Sequence, residues 1–144
     1  MPILRGRWLK PRRWAALFRE VARLLLPGGR FLFTDAGVIT SSVSEEEIGL
    51  RAPHGHTQFV PLGYNERLLN AAGFRLVDCR DRTASLLATA SGRLKARLNH
   101  QVELERHEGA AYFARQRQYL ETVISLAQRG AMSRMMYLAE SPAG

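Results

Sequence analysis

Residues 24–35 read LLLPGGRFLFTD and change character at the Pro-Gly-Gly triplet. Ahead of the triplet, apolar side chains recur at spacings of three and four residues, which predicts an amphipathic helix. Proline cannot continue the helical hydrogen-bond ladder and glycine accepts the positive φ of a helix exit, so the triplet ends the helix. Residues 30–35 are apolar on both strand faces, which predicts a strand covered on both sides in a parallel sheet. The predicted apolar face of the helix contains Trp14, Leu17, Phe18, Val21, Leu24 and Leu25.

Helices and strands alternate along the rest of the chain. Residues 36–62 are irregular, except that Ser44 is predicted to cap a short helix, with Glu47 completing a capping box. The elements predicted after this loop are a helix at 64–72, a strand at 74–81, antiparallel helices at 93–107 and 110–128, and a strand at 132–139. A connection rich in threonine, alanine and serine precedes the helix pair. This order indicates an α/β fold.

Length and composition limit the classes of protein to which the chain can belong. Its 144 residues suit one domain, and 46% hydrophobic with 24% charged residues is typical of a folded globular protein. The apolar runs are far shorter than a membrane span needs, so no membrane partner is predicted. The single cysteine, Cys79, excludes an internal disulfide framework. A reducing, cytoplasmic location is expected.

The net charge of +8 is concentrated at one end of the chain. Eight of the 21 basic side chains, and one of the 13 acidic ones, lie in residues 1–30. The remainder is nearly neutral, whereas a nucleic-acid-binding face carries lysine and arginine across the fold. Nucleic acid is therefore not the expected partner. A binder that uses its basic arm remains an alternative, and it predicts binding that is lost when residues 1–13 are deleted.

Three segments resemble class I S-adenosylmethionine-dependent methyltransferases of the small-molecule type. They are residues 24–35, residues 64–74 (YNERLLNAAGF) and the terminal strand at 132–139. In that family they belong to the second half of a Rossmann-like sheet. The resemblance implies a partial methyltransferase sheet, its C-terminal half, with a helical-hairpin insertion before the last antiparallel strand.

The cofactor half of that family's pattern is missing. Family members hold S-adenosylmethionine with a Gly-x-Gly loop, yet no two of the twelve glycines here lie two positions apart. No cofactor-binding residues are therefore assigned. We expect a truncated form, in which residues 1–13 are a basic, disordered or foreign leader and residues 14–144 are a single incomplete domain.

The resemblance implies transfer of a methyl group from S-adenosylmethionine to a small-molecule acceptor. Ligands in such sheets lie beyond the carboxyl ends of the strands, which places Thr34 and Asp35 at the mouth of the site. Asp35 is the candidate catalytic residue that would accept a hydrogen bond from the acceptor or balance its charge. A solvated carboxylate at a strand end is the alternative interpretation.

Four further residues are candidates in the loop and the helix that follows. His54 and His56 are predicted as catalytic residues, with substrate contact, metal ligation and ordinary loop positions as the alternatives. No third ligand stands at motif spacing, so no metal is predicted. Phe59 and Tyr64 are predicted to bind substrate, or otherwise to pack the loop and the helix.

A different class of function is a catalytically inactive methyltransferase remnant. Residues 31–33 would lack a strand on one side, leaving a hydrophobic edge that pairs with another chain. This hypothesis predicts a homo-oligomer formed through the exposed sheet edge.

Overall fold

A computed structural model describes residues 11–53 and 57–142, with side chains from Trp14 onward. Four strands and six helices alternate in this part of the chain. In order they are α1 (Pro11–Leu24), β1 (Arg30–Ile39), α2 (Glu45–Arg51), β2 (Val60–Pro61), α3 (Tyr64–Ala71), β3 (Arg75–Asp81), α4 (Thr83–Asn99), α5 (Gln101–Glu108), α6 (Ala110–Gln128) and β4 (Met132–Glu140). The predicted α/β class is confirmed.

The strands form one mixed sheet in the order β2-β1-β4-β3. The last strand, β4, lies between β1 and β3 and runs antiparallel to both, as Phe33 opposite Tyr137 and Cys79 opposite Tyr137 show. On its other side, β1 pairs in parallel with β2 through Val38 and Ile39 alone. The predicted antiparallel last strand is therefore confirmed, and it occupies an interior position.

An aromatic cluster holds α1 against one face of the sheet. Phe18 is fully buried, and its ring makes edge contacts with Trp14, Phe31 and Phe33 at centroid distances of 5.8, 5.6 and 5.0 Å. Such edge-to-face geometry is favourable beyond the apolar area that it buries. The prediction was wrong for two other residues of the helix, because Leu17 and Leu24 are 49% and 66% exposed.

The opposite face of β1 is open at its beginning. Leu32 is 60% exposed, and exposed and half-buried positions alternate from Arg30 to Asp35. The prediction of a strand covered on both faces was therefore wrong. The strand is open on one face because its main partner, β4, is antiparallel, and antiparallel sheets tolerate one solvated face.

The segment after residue 35 is more regular than predicted. β1 continues to Ile39, and α2 follows with the predicted capping box, in which Ser44 and Glu47 exchange side-chain and backbone hydrogen bonds. Ile39 packs with Ile48, Phe59 and Met132 in a second buried cluster. The far end of β1 is therefore closed on both faces.

The connection predicted before residue 93 is helical, because α4 already begins at Thr83. Its Leu86 and Ala90 lie one turn apart and pack with Leu120 and Val123 of α6. The alanines of this segment favour a helix, and tertiary packing outweighs the serines and threonines. Three helices, α4 to α6, therefore stand where a pair was predicted, and Gly109, with φ of 89°, separates the last two.

Two observations concern the ends and the surface. Residues 1–10 of the predicted leader lie outside the described residues, whereas residues 11–13 form the first turn of α1. No helix within the described ranges is both long and apolar enough to cross a bilayer.

Candidate functional site

The site begins at a bulge in β1. Asp35 is opposite Met135 and Val38 is opposite Ser133, so β1 holds one residue more than β4 between these pairs. The bulge contains Gly37, where a Cβ would lie 2.7 Å from the backbone oxygen of Gln58. Only glycine permits this close approach between the strand and the segment ahead of β2.

The bulge orients the carboxylate of Asp35. Its Oδ1 accepts a hydrogen bond from the Gly37 backbone N–H at 2.8 Å, and its Oδ2 accepts one from the Asn65 amide at 2.9 Å. Asn65 is 1% exposed, and it belongs to the first turn of α3. A half-buried carboxylate with both oxygens bonded in this way has a fixed direction.

Asn65 also connects Asp35 to the aromatic core. Burial raises the pKa of Tyr137 well above its ordinary value, and a hydrogen bond with the Asn65 side chain opposes that shift. Tyr137 is 1% exposed and therefore stays a neutral phenol at physiological pH. The same buried amide thus donates to the candidate catalytic carboxylate and lies near a core tyrosine.

Arg51, the last residue of α2, is a buried cation beside this carboxylate. It is 7% exposed, and its guanidinium donates to the Tyr119 hydroxyl at 3.1 Å and to the Ala36 carbonyl at 3.4 Å. It also lies over the rings of Tyr119 and Phe59, at 5.3 and 6.0 Å from their centroids. Neutral oxygens and aromatic faces therefore surround the charge.

The pKa of Arg51 reflects this environment. Burial lowers it, the Tyr119 hydroxyl opposes the shift, and the positive charge of Arg134 lowers the pKa further, while Asp35 raises it. An arginine remains protonated even so, because its ordinary pKa is far above neutrality. The site therefore holds a full positive charge that burial disfavours.

Asp35 and Arg51 both line an open cleft of about 460 Å³. The cleft lies at the carboxyl end of the straight part of β1, where ligands of open α/β sheets bind. Its walls are formed by Trp14, Leu17, Thr34, Asp35, Ala36, Gly37, Arg51, Thr57 and Gln58. The cleft thus combines an apolar wall from α1 with one acidic and one basic side chain.

The residues predicted from the sequence are only partly brought together. Thr34 and Asp35 line the cleft, whereas Phe59 is 2% exposed and packs in the second buried cluster. Tyr64 is half-buried at the start of α3 with the Arg67 guanidinium 5.8 Å from its ring centroid. Substrate binding by Phe59 and Tyr64 stays a prediction.

His54 and His56, the two predicted catalytic histidines, lie outside the described residues. Within the ranges that the structure covers, no group of three or more histidine, cysteine, aspartate or glutamate side chains is placed to hold a metal ion. The side chains that the structure does bring together, Asp35 and Arg51, suit hydrogen bonding and charge recognition of a ligand.

Sequence reasoning missed Arg51 and Asn65, although each carries a signal. Arg51 follows the buried Ile48 by three residues, so it shares the buried face of α2. Asn65 precedes the buried Leu69 by four residues and therefore shares the buried face of α3. A polar residue at an apolar position of a helix is the pattern that identifies both.

Solved structures with the same fold are S-adenosylmethionine-dependent methyltransferases and related enzymes. A candidate sarcosine dimethylglycine methyltransferase from Galdieria sulphuraria matches with a TM-score of 0.75 and 19% identity, over 90% of this chain and 48% of its own. A cyclopropane synthase from Mycobacterium tuberculosis matches with a TM-score of 0.80 and 17% identity, over 90% of this chain and 50% of its own. The third structure is a phosphoethanolamine N-methyltransferase from Haemonchus contortus in complex with phosphomonomethylethanolamine and S-adenosylhomocysteine. It matches with a TM-score of 0.74 and 15% identity, over 90% of this chain and 30% of its own.

The chain spans about half the length of the first of these structures, or less for the third. No family model and no curated protein matches the sequence. At these low identities the likeness concerns the fold, a sheet in which β4 lies antiparallel between β1 and β3. The chain therefore has the fold of the C-terminal half of a class I S-adenosylmethionine-dependent methyltransferase.

Proposed function

We propose that this chain binds the small-molecule acceptor of an S-adenosylmethionine-dependent methyl transfer, and that the cleft at Asp35 is the acceptor site. The observation that carries the proposal is the Asp35 carboxylate, which the Gly37 backbone and the Asn65 amide fix at the end of β1. It lines an open cleft at the position where this class of sheet binds ligands.

The main contribution of such a site to methyl transfer is to position the acceptor. Methyl transfer is an in-line displacement, so the protein has to hold the acceptor atom in the correct direction rather than supply a nucleophile. Each Asp35 oxygen already accepts one hydrogen bond and retains capacity for another. Asp35 would therefore bind a donor N–H or O–H of the acceptor and orient its lone pair.

The cleft fits an acceptor better than it fits the whole cofactor. Trp14 and Leu17 offer apolar surface, and Asp35 offers a carboxylate. In the family that the chain resembles, a Gly-x-Gly turn holds the cofactor, and the 144 residues contain no such sequence. The cofactor's contacts are therefore not assigned to residues of this cleft, and the role proposed for the chain concerns the acceptor.

The named ligands of the solved structures support a small molecule as acceptor. The protein from Galdieria sulphuraria is named for sarcosine and dimethylglycine, and the one from Haemonchus contortus contains phosphomonomethylethanolamine. Both share the fold of this chain over 90% of its length. A cleft of about 460 Å³ has room for a ligand of that size.

Calorimetric titration of the chain with S-adenosylhomocysteine tests whether the methyl transfer belongs to it. Saturable binding in the micromolar range would mean that the chain by itself forms part of a cofactor site. An Asp35→Asn variant should retain that binding, because Asp35 is assigned to the acceptor. Absence of heat up to about 1 mM ligand would show that the chain alone has the fold without the activity.

A second candidate function, association through the sheet edge, rests on a different observation. Among the described residues, β1 pairs with β2 only at Val38 and Ile39, so its edge at residues 30–37 has no neighbouring strand. Unpaired strand edges template pairing with another chain, and Leu32 adds exposed apolar surface there. We propose that a second copy pairs edge to edge, which light scattering at micromolar concentration would show as a dimer. A monomer would exclude it.

A further inference from the structure

The cleft contains two opposite charges that form no direct ion pair with each other. Asp35 and Arg51 line the same cavity, yet Arg51 takes part in none of the ion pairs found in the described part of the chain. The Asp35 oxygens are held instead by Gly37 and Asn65. Each charge is thus kept in its own place by neutral groups.

Burial makes the isolated guanidinium costly. Arg51 is 7% exposed, and its described polar partners are the Tyr119 hydroxyl and the Ala36 carbonyl. A buried cation normally has an anionic partner, because neutral oxygens compensate only part of the lost hydration. The fold therefore maintains a positive charge at the cleft wall that Asp35 balances only from a distance, without a direct ion pair.

A second arginine adds positive charge to the same region. The charge of Arg134 acts on Arg51, and its Nε is buried without a hydrogen-bond partner among the described residues. Arg134 is likewise absent from the ion pairs of that part of the chain. Arg134 does not line the cleft, but its charge adds to that of Arg51, and the combined positive charge favours an anionic ligand at Arg51.

We infer that the acceptor is a zwitterionic small molecule, with its ammonium N–H bonded to Asp35 and its anionic group, a carboxylate or a phosphate, at Arg51. Before methyl transfer the ammonium loses one proton through Asp35 to solvent, and the nitrogen lone pair that this frees takes the methyl group. The inference rests on the proposed acceptor role of the cleft and adds the chemical class of the acceptor. A ligand with only a cation would leave Arg51 without a counterion. A ligand with only an anion would meet the Asp35 carboxylate.

Binding of four small probes to the full chain, followed by NMR chemical shifts and by calorimetry, tests this class without requiring catalysis. Sarcosine and phosphoethanolamine carry both charges, whereas methylamine and acetate carry one each. Each zwitterion should bind about tenfold tighter than either singly charged probe, because it gains a second charge-assisted contact. The ratio between sarcosine and phosphoethanolamine then identifies carboxylate or phosphate as the preferred anion.

Two variants assign the contacts to the residues. Arg51→Gln should weaken zwitterion binding about tenfold and should not weaken methylamine binding, because the repulsive positive charge near Asp35 is removed, while Arg51→Lys should retain part of the zwitterion affinity. Arg129→Gln is the matched control, because Arg129 is an exposed arginine that is paired with Glu47 on the surface. Equal binding of all four probes to the unmodified chain, or no saturable binding of either zwitterion, would overturn the inference even if Arg51→Gln fails to fold.

The experiments distinguish failure of the zwitterionic-acceptor inference from failure of the proposed methyl transfer. Zwitterion binding without S-adenosylhomocysteine binding supports the acceptor site and contradicts methyl transfer by this chain alone. S-adenosylhomocysteine binding together with equal binding of all probes supports the proposed function and overturns the zwitterionic acceptor.

Discussion

The two halves of β1 differ in burial and in the number of neighbouring strands. From Arg30 to Asp35 the side chains alternate, one face packs on aromatic rings and the other is open, and β4 alone pairs with this half among the described residues. From Ala36 to Ile39 the strand bulges, becomes buried and gains β2 as a second neighbour. We call residues 30–35 the anchoring half, because they pack against α1, and residues 36–39 the closed half, because they are largely buried.

The difference shows where this fold places polar groups. In the anchoring half, aromatic rings fill the covered face and solvent hydrates the other. Where the two halves meet, the half-buried Asp35 accepts hydrogen bonds from Gly37 and Asn65, and the nearby buried Arg51 donates one to the Tyr119 hydroxyl. Buried polar groups of this kind cost stability unless they are satisfied, which makes them candidates for function.

The largest effect is expected where the anchoring half meets α1. Phe18→Ala removes a fully buried ring that contacts Trp14, Phe31 and Phe33, so the free energy of unfolding should fall by about 3–5 kcal/mol. Chemical denaturation measures the loss. Leu17→Ala, next to it on the same helix but 49% exposed, is the matched control and should cost less than about 1 kcal/mol. Equal losses would mean that α1 is not anchored through its aromatic face.

The next effect concerns the bulge that distinguishes the closed half. Gly37→Ala places a Cβ 2.7 Å from the Gln58 backbone oxygen, so strand and loop have to separate, at a cost of about 1–3 kcal/mol. Gly49→Ala, inside α2 and with open space around it, should instead stabilise the protein by about 0.5–1 kcal/mol. Thermal unfolding of both variants compares them. A neutral Gly37→Ala variant would show that the bulge adapts and does not fix Asp35.

The sequence predicts the anchoring half better than the closed half. The Pro-Gly-Gly turn, the helix before it and the start of β1 follow from local patterns, since proline and glycine act on their own backbone. The bulge at Ala36 and Gly37 depends on register against β4, and register is a long-range property. This is why residues 36–39 looked irregular and are a strand.

The residues of the site also differ in how well the sequence predicts them. Asp35 and Thr34 are predictable because they stand at the end of an apolar run, where a strand meets its ligand. Arg51 enters the cleft only through the packing of α2 near β1, and Asn65 only through α3. Their partners are 15 and 30 residues away along the chain, a distance that periodicity does not reach.

A smaller effect tests how firmly α2 closes the second half of β1. Hydrogen bonds with Ser44 and the charge of Arg129 hold the pKa of Glu47 below its ordinary value of 4.5, against the opposing effect of burial. Because folding lowers this pKa, the stabilisation is present above pH 4.5 and is lost as the pH falls through the lowered value. Glu47→Ala should therefore cost about 1 kcal/mol at neutral pH.

Glu47→Gln separates the charge of this cap from its hydrogen bond. Glutamine still accepts from the Ser44 backbone N–H, so this variant should cost less than the alanine and should lack the acid-dependent change in stability. Denaturation measured at neutral pH and at about pH 3 compares the three proteins. A constant difference between glutamate and glutamine over this range would mean that ionised Glu47 does not support α2.

The smallest change in stability is expected at the open half of β1, where the change in association should instead be decisive. Leu32 is 60% exposed on the strand edge, so Leu32→Lys should alter the free energy of unfolding by no more than about 0.5 kcal/mol. A lysine at a strand edge opposes pairing with another strand, so a dimer formed through β1 should dissociate. Leu24→Lys is the control, since Leu24 is 66% exposed and belongs to helix α1 rather than to a strand. If light scattering shows that Leu24→Lys dissociates the dimer and Leu32→Lys does not, association uses the helix face, and the unpaired edge of β1 has no part in it.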